Sequence, residues 1–307
     1  MDIIVTGASG FVGQNLCSFL KGNNLNVFPV RVRYNQIEDY NNFLNNLGAN
    51  ARIIHASGVA HDIKGAHKNT IYKQNNTDLS IQLIDAFLQS KALDFIFISS
   101  VKATVDISNN LVDENTVPHP NSDYGISKLK VEEYIKKLII PKGKRIIILR
   151  PAMIYGADCK GNLPLLFSFL KKGIPYPFGK FQNERSFLNI KNLLFSIYRI
   201  LEDRSIAGAC YMVADDETYS SNSLVKQIAG AAKLKPRIVY IPKFIIRVVA
   251  RIGDYLNFPL NSESLGKLTQ NLCINNSKIK KVLQIDKMPY NLEEGLKEMI
   301  EKMDKKQ

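Results

Sequence analysis

Cysteine and histidine are scarce in this chain of 307 residues, with four of each. Cys17, Cys159, Cys210 and Cys273 lie far apart with no metal-binding spacing, which suits reduced thiols and argues against a disulfide framework. His55, His61, His67 and His119 offer no ligand pair, so a catalytic metal is not expected. No apolar run approaches the length of a membrane span. The N-terminal Ile-Ile-Val is too short for a signal peptide and lacks its basic flank. A cytoplasmic location is the expectation. Acid is missing too: no Asp or Glu stands between Asp2 and Glu38. The formal net charge is +13, with eight basic and seven acidic residues in 1–100 against 33 and 21 thereafter. A basic second part suits a polyanionic ligand or a negative surface. Nucleic acid is not expected as a partner, because no helix-turn-helix, zinc or RNA-binding signature accompanies the charge.

Short β-branched runs alternate with helical patterns over the first half. Strands are expected at Ile3–Thr6, Val27–Arg31, Arg52–His55, Phe95–Ser99 and Arg145–Arg150. Helices are expected near Phe11–Lys21, Tyr40–Asn46, Thr70–Gln89 and Ser122–Leu138. This rhythm predicts an α/β fold, a doubly wound, mostly parallel Rossmann sheet. After Tyr155 the rhythm breaks down into loops carrying Gly161, Pro164, Gly173, Pro175, Pro177 and Gly179. The expected division is therefore 1–155 as a dinucleotide-binding domain, with 187–201 returning to it. Residues 156–307 form a smaller substrate-binding α/β lobe in this reading.

Three local patterns carry chemistry. Gly7, Gly10 and Gly13 follow the first strand and open the first helix, spaced G-x-x-G-x-x-G. A tight turn there lets the backbone approach a pyrophosphate, whose charge sits on the helix N-terminus. Tyr124-Gly-Ile-Ser-Lys128 is the second pattern. Tyr-x-x-x-Lys arises readily by chance, and Tyr176–Lys180 is another copy, but Pro177 and Gly179 make that one a loop. Residues 122–138 read as a helix, which puts Tyr124 and Lys128 on one face. A phenol titrates near ~10 when unperturbed, and a neighbouring ammonium lowers that value, fitting Tyr124 for acid–base work. The third pattern is Ser99-Ser100 at the end of a strand, where open α/β sheets bind ligands.

Taken in this order, the chain resembles the extended short-chain dehydrogenase/reductase superfamily, in its nucleotide-sugar branch. The residues that carry the resemblance are the turn 7–13, His55-Ala56-Ser57-Gly58, Ser99-Ser100, Tyr124–Lys128 and Leu149-Arg150-Pro151 with Tyr155-Gly156. Gly161-Asn162-Leu163 and the segment from Asn183 through Arg185 to Ile190 extend it. The resemblance implies a catalytic set of Tyr124, Lys128 and Ser100. It implies cofactor contacts from Gly7, Ser9, Gly10, Phe11, Val12, Gly13, Arg31, Arg33, His55, Ala56, Ser57, Gly58, Lys128 and Pro151. Substrate contacts are implied for Ser99, Ser100, Tyr124, Asn162 and Arg185, with no metal. Arg185 would grip the substrate diphosphate through its paired donors.

Two departures narrow these expectations. Val101-Lys102 stands where family dehydratases carry Asp-Glu, so dehydration is not expected. Arg31 and Arg33 stand where an acid binds the ribose of NAD, so NADP(H) is favoured over NAD(H). The resemblance then leaves two reactions at C4 of a UDP-sugar, reduction of a 4-keto sugar or 4-epimerisation. It prefers reduction of a UDP-4-keto-6-deoxy-N-acetylhexosamine for surface polysaccharide. A cofactor-binding regulator without activity is a third, distant reading. A homodimer through the helices near 70–89 and 122–138 is also implied.

One segment stands outside the resemblance. Leu224–Phe258 holds seven basic residues and one acid, Asp254. Lys243, Arg247 and Arg251 recur every four residues beside an apolar side of Phe244, Ile245, Val248, Val249, Ile252 and Tyr255. Such a helix either lies peripherally on an anionic membrane or packs on its neighbours.

Overall fold

Residues 1–33, 40, 44, 48, 50–59, 68–256 and 261–305 are described by the computed structural model. In chain order the strands are β1 (Asp2–Thr6), β2 (Asn26–Val30), β3 (Arg52–His55), β4 (Asp94–Ile98), β5 (Arg145–Pro151), β6 (Met153–Tyr155), β7 (Arg185–Asn189), β8 (Cys210–Val213) and β9 (Thr218–Tyr219). The large sheet runs β2-β1-β3-β4-β5-β8, and all of its pairings are parallel. A small sheet runs β6-β7-β9.

Side-chain alternation decides how the large sheet is covered. Ile3, Val5, Ile96, Ile147 and Leu149 point into one apolar layer, while Ile4, Ile53, Phe95, Phe97 and Ile148 point into the other. Every residue of β4 and β5 is buried, as a parallel sheet with helices on both faces requires. The first layer is closed by α1 (Phe11–Gly22) through Leu16 and Leu20. The second is closed by α3 (Leu79–Gln89) through Leu83 and Phe87, and by α4 (Asp123–Lys137) through Val131 and Ile135. A short helix α2 (Lys68–Tyr72) and a π-helical turn, Lys73–Asp78, precede α3 without a break. The helix expected at Tyr40–Asn46 lies largely outside the described residues, of which Tyr40 and Leu44 are buried. His61 and His67 lie outside them as well.

Beyond residue 155 the chain crosses between layers several times. A separate apolar cluster gathers Leu163 and Phe167 of α5 (Asn162–Lys171) with Phe178, Val225 of α7 (Ser221–Ala231), Ile246 and Leu296. The segment 187–201 splits. Phe187 joins that cluster, whereas Leu193 and Ile197 of α6 (Ile190–Glu202) pack in the layer of α1. β8, which the sequence reading leaves in the second lobe, instead forms the edge of the large sheet beside β5. The chain runs from β1 to β2 on one side and to β3 on the other. The crevice between β1 and β3 therefore opens at their carboxyl ends, where such folds place ligands.

Candidate active site

The glycine turn fills that crevice. Gly7 adopts φ +72° and Gly10 N donates to Gly7 O at 2.9 Å. A β-carbon on Gly13 would lie 2.1 Å from Gly7 O, so only glycine lets α1 start this close to β1. Gly10 is the N-cap, no side chain caps the helix, and its first turn carries no acid. Ser9 and Gly10 are exposed, which leaves the N-terminal amides open to an anion. Phe11 and Val12 pack their side chains against the large core, so their part in that helix end is a backbone one. Ala56, Ser57 and Gly58 continue from β3 at the other wall of the crevice, with Ser57 Oγ 3.4 Å from Thr6 Oγ1. These residues fit a dinucleotide pyrophosphate. Arg31 and Arg33 are exposed just past β2, beyond the Thr6–Val30 pair and level with the glycine turn.

Tyr124 is brought to Ser100 by an approach that one glycine allows. A β-carbon on Gly125 would lie 2.2 Å from Lys102 O, so α4 packs directly on the Val101–Ala103 turn that follows β4. Ser122 caps α4, its hydroxyl accepting from Gly125 N, and Asp106 accepts from Asn121 N, Ser122 N and Ser122 Oγ. The half-buried Tyr124 phenol is hydrogen-bonded by the Ser100 side chain and packs edge-on against Tyr72, with ring centres 6.3 Å apart. Burial pushes the phenol up to about 12, the Ser100 bond opposes that, and Tyr72 adds to it. The expected lowering by Lys128 is not what the structure holds. Lys128 Nζ donates to Ile98 O at 3.0 Å and sits 4.8 Å from the centre of the Phe97 ring. Burial pulls Lys128 down to about 8, against the attraction of Glu132.

Two further expectations are corrected by side-chain direction. Ser99 continues β4, its amide donating to Leu149 O, and the pleat turns its side chain inward, opposite to Ser100. Its hydroxyl donates to the buried Glu132 at 2.5 Å, so it does not face a substrate. His55 is fully buried, with Nδ1 2.7 Å from Thr6 Oγ1 and Nε2 2.8 Å from Ser80 Oγ. Burial and then Lys128 push it down to about 3, which makes it a neutral tie between β1, β3 and α3. Its ring is unavailable to a cofactor.

Pro151, Asn162 and Arg185 are the remaining expected residues. Pro151 ends β5, buried and paired with Val213. Asn162 is exposed in the first turn of α5. Arg185 opens β7, half-buried, and burial lowers its guanidinium from the ordinary range against the pull of Cys273. A cavity of about 420 Å³ beside it is lined by Ser108, Phe181, Asn183, Glu184, Asn271 and Cys273 among others. Neither Tyr124, Lys128 nor Ser100 lines it, so it is not the place of proton exchange.

Residues 3–214 match the model of the NAD dependent epimerase/dehydratase family. The chain belongs to that family. It is accordingly an NAD(P)-dependent short-chain dehydrogenase/reductase. It is 29% identical to a UDP-glucose 4-epimerase of Vibrio cholerae, over 97% of this chain and 94% of that one. It is 26% identical to a GDP-6-deoxy-D-mannose reductase of Pseudomonas aeruginosa, over 81% and 86%. The solved structure of MoeE5 in complex with UDP-glucose and NAD superposes with a TM-score of 0.78 at 19% identity, covering 100% of this chain and 99% of that one. The likeness in fold is thus end to end.

Two residues of this family member escape sequence reasoning. Glu132 lies on the face of α4 that carries Tyr124 and Lys128, fully buried. It accepts from Ser99 and from Arg150, whose Nε lies 3.1 Å from both carboxylate oxygens. Its spacing of four from Lys128 was the available signal. Asn76 is the second, presented by the π-helical turn, a distortion that recurs at functional sites. Its amide accepts from Val59 N at 2.7 Å and donates to Ser127 Oγ at 3.1 Å, tying the loop after β3 to α4.

Proposed function

We propose that this protein reduces a ketone at C4 of a UDP-sugar, with a UDP-4-keto-6-deoxy-N-acetylhexosamine as the preferred class. The observation that carries the reading is the Tyr124 phenol, hydrogen-bonded by Ser100 and one helical turn before Lys128, whose Nζ lies 3.3 Å from where a β-carbon on Gly58 would stand at the crevice wall. The turn of Gly7, Gly10 and Gly13 would hold a nicotinamide dinucleotide, whose chemistry there would be hydride donation to a ketone. Tyr124, which burial keeps protonated at neutral pH, gives its proton to the oxygen as charge develops there. Ser100 shares that charge by hydrogen bonding. Lys128, between Ile98 O and the edge of Gly58, would hold the ribose side of the cofactor. Arg185 would grip the substrate diphosphate, Asn162 would contact the nucleotide sugar, and the exposed Arg31 and Arg33 favour NADP(H) over NAD(H). Val101-Lys102 after Ser100 supplies no carboxylate to expel water, which argues against dehydration. A homodimer formed through the helices expected near 70–89 and 122–138 belongs to the same reading.

A second reading, 4-epimerisation, is favoured by the 29% identity to the Vibrio cholerae UDP-glucose 4-epimerase over 97% of this chain. The two separate in paired assays. Reduction predicts NADPH loss with a UDP-4-keto sugar and no conversion of UDP-galactose without added reductant. Conversion of UDP-galactose alone would transfer the assignment to the epimerase. Mass spectrometry of the cofactor carried by the purified protein adds an independent sign: an empty or NADP-loaded site suits the reductase, tightly held NAD the epimerase.

A further inference from the structure

The helix α8 (Lys243–Leu256) has an outer face that the reaction does not use. Ile246, Ala250 and Gly253 are its buried side, and Ile246 and Ala250 join the cluster of Phe178 and Val225. At 100° per residue the rest of the helix divides cleanly. Lys243, Arg247, Asp254 and Arg251 occupy one exposed arc. Phe244, Ile245, Val248, Val249, Ile252, Tyr255 and Leu256 occupy the other, and all seven are exposed, with Phe244 at 67% and Tyr255 at 90%. Val239 and Tyr240, just before the helix, extend the apolar arc. Scattered apolar side chains on a surface need no explanation, but a contiguous face of this size marks a binding surface.

Charge decides what would cover it. Lys243, Arg247 and Arg251 form the arc beside the apolar one, Lys235 and Arg237 precede the helix in the chain, and Asp254 is the single acid of the helix. That acid is committed locally, accepting from Ser262 N at 2.9 Å and Ser262 Oγ at 2.6 Å at the start of the next helix, Ser262–Thr269. A second copy of this chain, packed about a two-fold axis, would set the same cations against one another. An anionic lipid surface takes the apolar side chains among its acyl chains and the cations at its headgroups. We infer that α8 docks this protein on anionic membranes as an interfacial helix lying in the plane of the bilayer. No described helix is long and apolar enough to cross one. The start of α8 also adjoins the cavity beside Arg185, since Lys243 Nζ lies 5.8 Å from the centre of the Phe181 ring.

The test is co-sedimentation of the full chain with vesicles of equimolar phosphatidylcholine and phosphatidylglycerol, or of phosphatidylcholine alone, at low and high salt. The expected result is binding to the mixed vesicles that weakens at high salt and is much poorer on phosphatidylcholine alone. Arg247→Gln and Arg251→Gln should each lower the partition coefficient about five-fold. Val248→Asp with Ile252→Asp should abolish binding while circular dichroism and cofactor binding stay unchanged. Absence of binding to mixed vesicles at low salt overturns the inference. So does equal binding by the double Asp variant. A dimer in sedimentation velocity that the double Asp variant dissociates would assign the face to a second copy and overturn it equally.

Discussion

Helices α4 and α8 depart from ordinary amphipathic packing in opposite directions. α4 turns Ser127, Lys128 and Glu132 into the protein, where a helix of its composition would be expected to show charge to water. α8 does the reverse, burying only Ile246, Ala250 and Gly253 and leaving seven apolar side chains outside. Each inversion costs stability unless something offsets it. In α4 the compensation is internal: Glu132 takes Arg150 and Ser99, Lys128 takes Ile98 O, and Asn76 takes Ser127. In α8 nothing among the described residues covers the apolar arc, and the proposed membrane surface would supply the compensation. A local rule broken inside a molecule therefore points to chemistry, and one broken on its surface points to a partner.

The contrast can be broken first at Glu132. Glu132→Ala leaves Arg150 buried without its carboxylate and should cost about 3–5 kcal/mol in urea unfolding. A loss no larger than that of an exposed site would show the α4 network to be incidental. Lys128 gives a pH signature of the same network. Its folded value of about 8 lies below the ordinary 10.5, so between those limits the unfolded chain binds more protons than the folded one. Stability should therefore gain a rising contribution from about pH 8 to 10.5, and Lys128→Met should remove that slope. Activity should move the other way, falling above about pH 8 as the ammonium is lost. Gly125→Ala forces a contact with Lys102 O and should cost about 1–3 kcal/mol, together with activity, as α4 is pushed from Ser100. The smallest effect belongs to α8. Val248→Asp should change unfolding free energy by less than about 0.5 kcal/mol, because the side chain is already in water.

Much of this was legible in the residues. β1, the glycine turn and α1 are local, and strand, turn and helix signals agree there. Tyr124 and Lys128 were placed on one face by spacing alone. Ser99 was misread because two adjacent serines at a strand end look alike, although the pleat sends them to opposite sides. His55 was misread because a residue beside a ligand crevice can still point into the core. β8 escaped notice as four residues whose pairing partner, β5, lies some sixty positions away. The Tyr124 phenol rises instead of falling because its burial, aided by Tyr72, outweighs the Ser100 bond, and both are three-dimensional facts. Spacing carries neither the burial nor the Tyr72 contact.

The proton carried by Tyr124 can be tested with one substitution. Tyr124→Phe removes the hydroxyl and keeps the ring against Tyr72. NADPH oxidation with a UDP-4-keto-6-deoxy-N-acetylhexosamine should fall about 10²–10⁴-fold, while cofactor affinity by equilibrium dialysis is unchanged. Turnover within a few-fold of the unaltered protein would contradict the account.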